Sequence, residues 1–189
     1  VALATTASTF SGPFTVTATF SEAVTGFELG DITVSNGTAS NFVTTSTSVY
    51  TFDVTPTVSG AVTVDVAGSV AIDAASNNNT AATQLSVTYD TSAPTVALAT
   101  TASTFSGPFT VTATFSEAVT GFVVADVTVS NGTASNFVTT STSVYTFDVT
   151  PVADGTVTVD VAGSVAIDAS SNNNTAATQL SVTYDTSAP

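Results

Sequence analysis

The stretch "PFTVTATF", residues 13–20, decides the fold class, because its apolar and polar residues alternate strictly. The apolar side chains that share one face of this extended segment are Phe14, Val16, Ala18 and Phe20. A period of two predicts a half-buried β-strand, whereas an amphipathic helix needs a period of 3.6. The other face is made of threonines, and β-branched residues are favoured in strands.

Similar segments recur along the first 94 residues and predict seven strands with no helix of useful length. In order, strands A to G cover residues 2–6, 13–20, 31–35, 41–44, 48–55, 61–67 and 84–90. Turn signals such as "SGP", "SNG" and "TPTVSG" separate them. Seven short antiparallel strands favour a β-sandwich of immunoglobulin type, here without the disulfide and tryptophan of antibody domains.

A long internal repeat predicts the domain organisation. Residues 1–94 align without a gap on residues 96–189, and nine of the 94 aligned positions differ. A period near 95 residues is the size of an independent small domain and is too long for a solenoid repeat. We therefore expect two tandem domains, residues 1–94 and 95–189, joined by the connector "TSAPT" at residues 91–95.

The charge composition excludes several classes of partner. The chain has 14 acidic residues and no Lys, Arg, His or Cys, so its formal net charge is −14. Such a chain cannot neutralise phosphates, which argues against binding to nucleic acid or to an anionic membrane surface. No apolar run reaches about 18 residues, so no membrane insertion by this segment is expected. Cations are the natural partners of this surface, and calcium suits carboxylate and carbonyl oxygens.

The same composition argues against an enzyme. No His, Cys, Lys or Arg is present to act as a base near neutral pH, a thiolate nucleophile or an oxyanion clamp. Paired carboxylates alone could support glycoside hydrolysis, but a sandwich of about 95 residues offers little room for the cleft that this chemistry requires. We expect no catalytic residues.

Four segments of the first copy carry a family resemblance: "GPFTVTATFSEAVTGF", "DITVSNGTASNF", "YTFDVTP" and "AIDAASNNNT". With the junction "YDTSAPTVAL", they resemble the bacterial Ig-like repeats of very large secreted adhesins. The resemblance covers essentially the whole chain, twice. It implies an immunoglobulin-like sandwich, an extracellular or cell-surface location, and a role as an extender stalk. It also implies that calcium can rigidify the joints between domains.

The strand order predicts a cation site at the joint. Because strand ends alternate between two poles, the B–C and F–G loops should share the pole at which strand A begins. Asp90 ends strand G of the first copy at the opposite pole, and the five connector residues span at most about 17 Å. Asp90 must therefore approach the pole of the second copy at which its strand A begins, where its B–C and F–G loops lie. The predicted ligands of this inter-domain calcium site are Asp90, Glu117, Asp168, Asn172 and Asn174.

The same reasoning leaves predicted half-sites at the outer ends of the chain. Four of these residues would face a preceding domain, and one would face a following domain. They are Glu22, Asp73, Asn77 and Asn79 at the first end and Asp185 at the second. The alternative is that the "NNN" loop is a polar turn without a cation, since Asn tolerates left-handed backbone geometry. Its spacing does not match an EF-hand.

Three functions are compatible with this reading. The first is a non-catalytic stalk repeat of a long extracellular adhesin, whose partners are neighbouring repeats and whose joints hold calcium. The second is a subunit of a filament or sheath that associates laterally with other copies. The third is a carbohydrate-binding module, which would require an exposed aromatic cluster.

Overall fold

The computed structural model describes residues 1–189 and divides them into two compact units, Val1–Thr91 and Ser92–Pro189. The first unit has eight strands and one short 3₁₀ turn at Leu29–Asp31. The strands are β1 (Ala2–Ala4), β2 (Thr9–Phe10), β3 (Phe14–Thr19), β4 (Ile32–Ser35), β5 (Gly37–Thr44), β6 (Val49–Pro56), β7 (Gly60–Val66) and β8 (Leu85–Tyr89).

The second unit repeats this order, with its 3₁₀ turn at Val124–Asp126. Its strands are β9 (Val96–Ala99), β10 (Thr104–Phe105), β11 (Phe109–Phe115), β12 (Val127–Ser130), β13 (Gly132–Thr139), β14 (Val144–Pro151), β15 (Gly155–Val161) and β16 (Leu180–Tyr184).

Each unit is a sandwich of two four-stranded sheets. In the first unit the sheet orders are β1-β3-β6-β5 and β2-β8-β7-β4. All neighbouring strands are antiparallel except β2 and β8, which run parallel. Two such sheets, each contributing its inner face to one core, form an immunoglobulin-like sandwich, so the predicted fold class is confirmed.

Two strands differ from the sequence prediction. The predicted first strand, residues 2–6, ends as β1 at Ala4, and the chain then crosses to the other sheet as β2. The predicted fourth strand, residues 41–44, is the end of the eight-residue β5. A bulge between Ser40 and Val43 breaks its alternation, because Asn41 adopts a positive φ of 51°.

Alternating residues of the central strands fill the core of the first unit. The side chains of Val16, Phe52, Val54, Val62 and Val64 are completely inaccessible to solvent. Their inward positions agree with the period-two pattern of the sequence. The equivalent residues of the second unit form a separate core cluster around Phe147.

An aromatic cluster closes one end of each core. In the first unit the rings of Phe20, Phe27, Phe42 and Tyr50 lie in contact, with centroid separations of 5.1–5.8 Å. The Tyr50 hydroxyl donates to the carbonyl oxygen of Val24 at 3.2 Å, so the buried ring keeps a partner for its polar atom. All these aromatic residues serve packing.

The outer face of the first sheet is polar but internally bonded. Asp53 on β6 accepts hydrogen bonds from the Thr15 hydroxyl at 2.7 Å and the Asn41 side-chain amide at 2.9 Å. These bonds, that from Asn41 most strongly, hold the pKa of the Asp53 carboxyl below its usual value. Asp53 therefore links β3, β6 and the bulge of β5 across the sheet surface.

Replacing Gly37 by alanine should destabilise the first unit. A Cβ atom at Gly37 would lie 2.9 Å from the carbonyl oxygen of Thr55, which belongs to β6 and cannot rotate away. Separating β5 from β6 to relieve this clash should cost about 1–3 kcal/mol of unfolding free energy. Urea unfolding would measure the loss. Gly12→Ala is the matched control, because no atom lies within 4 Å of its added Cβ; equal losses for both variants would contradict the prediction.

Candidate functional site

Two loops meet at the N-terminal pole of the first unit, the pole at which β1 begins. The loop after β3 and the loop after β7 exchange backbone hydrogen bonds between Thr25 and Ile72, at 2.9 and 3.0 Å. A surface recess at this pole is lined by Val1, Glu22, Asp73 and Asn77, among others. The predicted shared pole of these loops is confirmed, and the four half-site residues of this end, Glu22, Asp73, Asn77 and Asn79, line one recess.

Asp73 organises its loop as an Asx-type turn. Its Oδ1 accepts from the backbone N–H groups of Ala75 and Asn77, both at 2.8 Å, and its Oδ2 accepts from the Asn77 side chain at 2.8 Å. The Asn77 side chain is the main cause of the lowered pKa of the Asp73 carboxyl. The turn is therefore formed by the protein's own donors, and one lone pair of Oδ2 remains for a further partner.

Asp168 makes the same turn in the second unit, but it is more deeply buried. Its Oδ1 accepts from the N–H groups of Ser170 and Asn172 at 2.8 Å, and its Oδ2 accepts from the Asn172 side chain at 2.9 Å. Only 6% of Asp168 is exposed. A carboxylate oxygen of Glu117, from the loop after β11, lies within 4.8 Å of one from Asp168. Two acidic groups thus converge at the N-terminal pole of this unit.

Asn174 is the scaffold of this loop. Its Oδ1 accepts from the N–H groups of Val165 and Ala166 at 2.9 and 2.8 Å. Its Nδ2 donates to the carbonyl oxygens of Ala162 and Thr175 at 2.9 and 2.8 Å. Both lone pairs of its side-chain oxygen are therefore in use.

Asn79 makes the equivalent four bonds in the first unit. The sequence predicted Asn79 and Asn174 as cation ligands, but their amide oxygens are committed to the backbone. The cation site proposed below does not use them.

The connector is hydrogen-bonded to its own unit on each side. Thr91 contacts Ser59 of the first unit, where the two hydroxyls lie 3.0 Å apart. In the second unit, the carbonyl oxygen of Pro94 accepts from the N–H of Thr175 at 2.8 Å. Thr95 is bonded to Ser116 through both its N–H and its carbonyl oxygen. Sequence reasoning missed these anchors, because serine and threonine occur throughout the chain.

The remaining predicted ligands end their respective last strands. The N–H of Asp90 donates to the Phe10 carbonyl oxygen at 2.9 Å, and that of Asp185 donates to the Phe105 carbonyl oxygen at 3.0 Å. One carboxylate oxygen of Asp185 also accepts from the N–H of Ser187 at 2.9 Å. The meeting of Asp90 with Glu117 and Asp168 stays a prediction.

A family model described as a bacterial Ig-like domain matches residues 1–89 and again residues 90–184. The chain belongs to the bacterial Ig-like domain family. The resemblance inferred from the sequence is confirmed, and each unit is one bacterial Ig-like repeat. The search of curated proteins found no match. No helix of these repeats is long and apolar enough to cross a membrane.

Solved structures similar to the two repeats include three bacterial proteins. The Escherichia coli adhesin FdeC is 15% identical, with a TM-score of 0.43 over 96% of this chain and 62% of that one. InvD of Yersinia pseudotuberculosis is 17% identical, with a TM-score of 0.42 over 97% and 56%. Invasin, described as a bacterial integrin-binding protein, is 15% identical, with a TM-score of 0.45 over 97% and 39%. The chain thus spans about two fifths to three fifths of the length of these proteins.

Proposed function

We propose that the chain is a stalk segment of a long extracellular bacterial adhesin, which holds a distal binding domain away from the cell. The observation that carries this proposal is the connector between two nearly identical repeats. Thr91 is bonded to the first repeat and Pro94 to the second, so two residues separate the anchored positions. Short anchored joints limit the freedom of successive domains, which suits a spacer.

The residue composition supports a mechanical role over a catalytic one. A base active near neutral pH or a thiolate nucleophile would require side-chain types that the chain lacks altogether. The pairs of polar residues on the sheet surfaces are bonded to each other, as Thr15 is to Asp53. We therefore propose that these repeats are non-catalytic.

The two alternative functions are less well supported. All 16 aromatic residues are buried or half-buried, so they form no exposed stacking platform for a carbohydrate. The longest edge strand of the first repeat is β5, and its bulge at Asn41 disrupts the regular edge that a laterally associating strand would need. Sedimentation at rising concentration tests lateral association directly, since a stalk segment should remain monomeric.

We also propose that the joint binds calcium. Asp90, Glu117 and Asp168 would be carboxylate ligands, and Asn172 would be a further oxygen ligand. Glu117 and Asp168 bring two negative charges within 4.8 Å, and the chain has no basic side chain to balance them. Hard oxygen donors of this kind fit calcium. Pro94 is bonded to the loop that follows Asp168, and Asp90 precedes Pro94 by four residues. The covalent chain therefore keeps Asp90 within about 14 Å of this loop.

Calcium should raise the thermal stability of the two-repeat chain, and chelation should lower it. At a calcium concentration 100 times the Kd, binding contributes about 2.7 kcal/mol. For a repeat of this size, that corresponds to an increase in Tm of roughly 10–20 °C. Differential scanning calorimetry in calcium and in EDTA measures the shift. Small-angle scattering should show a more flexible chain in EDTA, and an unchanged maximum dimension would argue against a cation at the joint.

The repeat supplies matched controls for this experiment. Asp90→Asn and Glu117→Gln should abolish the calcium-dependent shift. Asp185→Asn and Glu22→Gln change the same positions of the other copy, which lie outside the joint, and should preserve it. A shift that survives in all four variants would place calcium elsewhere and contradict the proposed ligands.

The location of the protein can be tested independently of calcium. Antibodies raised against the two-repeat chain should label intact cells of the producing bacterium. External proteinase K should remove the label without breaking the cells. Labelling that appears only after permeabilisation would contradict the stalk proposal.

A further inference from the structure

The two repeats differ at the turn beside their outgoing connectors. Four of the nine differing positions, 57, 58, 59 and 61, lie in or beside the turn between β6 and β7. The outgoing segments themselves are identical, because the sequence "YDTSAP" begins at the last residue of β8 and again at the last residue of β16. Any difference in how the two segments are held must therefore come from the repeat that they leave.

The turn has the same backbone conformation in both copies. Asn36 donates to the carbonyl oxygens of Val58 and Ala61, and Asn131 donates to those of Ala153 and Thr156. The following glycines, Gly60 and Gly155, have φ values of 135° and 132°. The substitution of Asp154 for Ser59 therefore changes the side chain presented to the connector and leaves the turn as it is.

Asp154 accepts hydrogen bonds from the outgoing segment through a carboxylate, whereas Ser59 offers a single hydroxyl. Its Oδ1 accepts from the N–H and the hydroxyl of Thr186, at 3.0 and 2.8 Å, and its Oδ2 accepts from the Ser187 hydroxyl at 3.2 Å. In the first repeat, the Ser59 hydroxyl lies 3.0 Å from the Thr91 hydroxyl, and the Thr91 N–H reaches it at 3.4 Å. Hydrogen bonds to a carboxylate are also stronger than those between neutral groups.

We propose that Asp154 is a positioning residue that anchors the connector leaving the second repeat, and that the residue at this position sets how firmly each repeat holds its outgoing connector. The hydrogen bonds from Thr186 also hold the pKa of the Asp154 carboxyl below its usual value, as expected for a carboxylate that accepts them. Thr186 directly follows Asp185, and Gly155, the neighbour of Asp154, pairs with Tyr184. The anchor therefore orients the strand end that carries the Asp185 carboxylate. The consequence for joint stiffness rests on the proposed stalk function, whereas the anchoring itself does not.

Exchanging the two residues tests the proposal. Asp154→Ser should speed backbone amide hydrogen exchange at Thr186 by about two- to tenfold, because the serine side chain that replaces the carboxylate acceptor is shorter and uncharged. Ser59→Asp should slow exchange at Thr91 by a similar factor. Amide exchange followed by NMR on the full two-repeat chain measures both effects. Each new side chain already occurs at this position in the other copy, so both variants should fold.

A conservative variant separates anchoring from general destabilisation. Asp154→Asn keeps a side-chain oxygen that can accept from Thr186, so most of the protection at Thr186 should return while Tm stays constant. Unchanged exchange at Thr186 in Asp154→Ser would overturn the anchor, and unchanged exchange at Thr91 in Ser59→Asp would overturn the role of this position. Either result would leave the cell-surface test of the stalk proposal unaffected.

Discussion

Replacing Phe52 by alanine should lower the unfolding free energy of the first repeat by about 3–5 kcal/mol and leave the second repeat unchanged. Phe52 is fully buried at the centre of β6, where its ring fills the space between the two sheets. The variant loses the transfer free energy of the ring and leaves a cavity that the surrounding valines cannot close. Differential scanning calorimetry should show one transition moved down by at least about 12 °C.

The second repeat supplies the mirror variant. Phe147 occupies the equivalent position, is equally inaccessible, and belongs to a separate core cluster. Phe147→Ala should move the other transition by a similar amount, which assigns each transition to its repeat. If either substitution shifted both transitions together, the repeats would unfold as one cooperative unit, and the description of two independent cores would be wrong.

The sheets could be predicted where the sequence alternates and could not where pairing is decided at long range. "PFTVTATF" and "VYTFDVTP" specify their inward faces by themselves, and both form central strands. The crossing of the first strand between sheets was missed, because "TTASTF" has no clear period. Its last two residues become β2 only by pairing with β8, almost 80 residues further along the chain.

The candidate site could be predicted in position but not in chemistry. Because successive strands run in alternating directions, counting them was sufficient to predict that the loops of Glu22 and Asp73 share one pole. The three consecutive asparagines look alike in the sequence, yet they take different roles in the second repeat. Asn172 bonds to Asp168, Asn173 is exposed without a side-chain hydrogen bond, and Asn174 is buried and fully bonded. The fold around each residue decides which role it takes.

Asn174→Ala should destabilise the second repeat by about 2–4 kcal/mol. The substitution removes four hydrogen bonds at once and leaves the N–H groups of Val165 and Ala166 and the carbonyl oxygen of Ala162 without their side-chain partner, at a point where Ala166 is itself buried. Chemical denaturation in EDTA measures the loss. Asn173→Ala is the matched control, since this exposed neighbour makes no side-chain bond, and its effect should stay within about 0.5 kcal/mol.

The same pair of variants distinguishes a loop scaffold from a cation ligand. A scaffold loses its bonds whether or not calcium is present, so Asn174→Ala should cost the same free energy in calcium as in EDTA. A ligand would also lose binding energy, and the loss would then be larger in calcium. Asn174→Asp sharpens the comparison, because a carboxylate keeps the acceptors for Val165 and Ala166 but cannot donate to Ala162 or Thr175. If Asn174→Asp were more stable than the parent chain in calcium, Asn174 would have to be returned to the set of cation ligands.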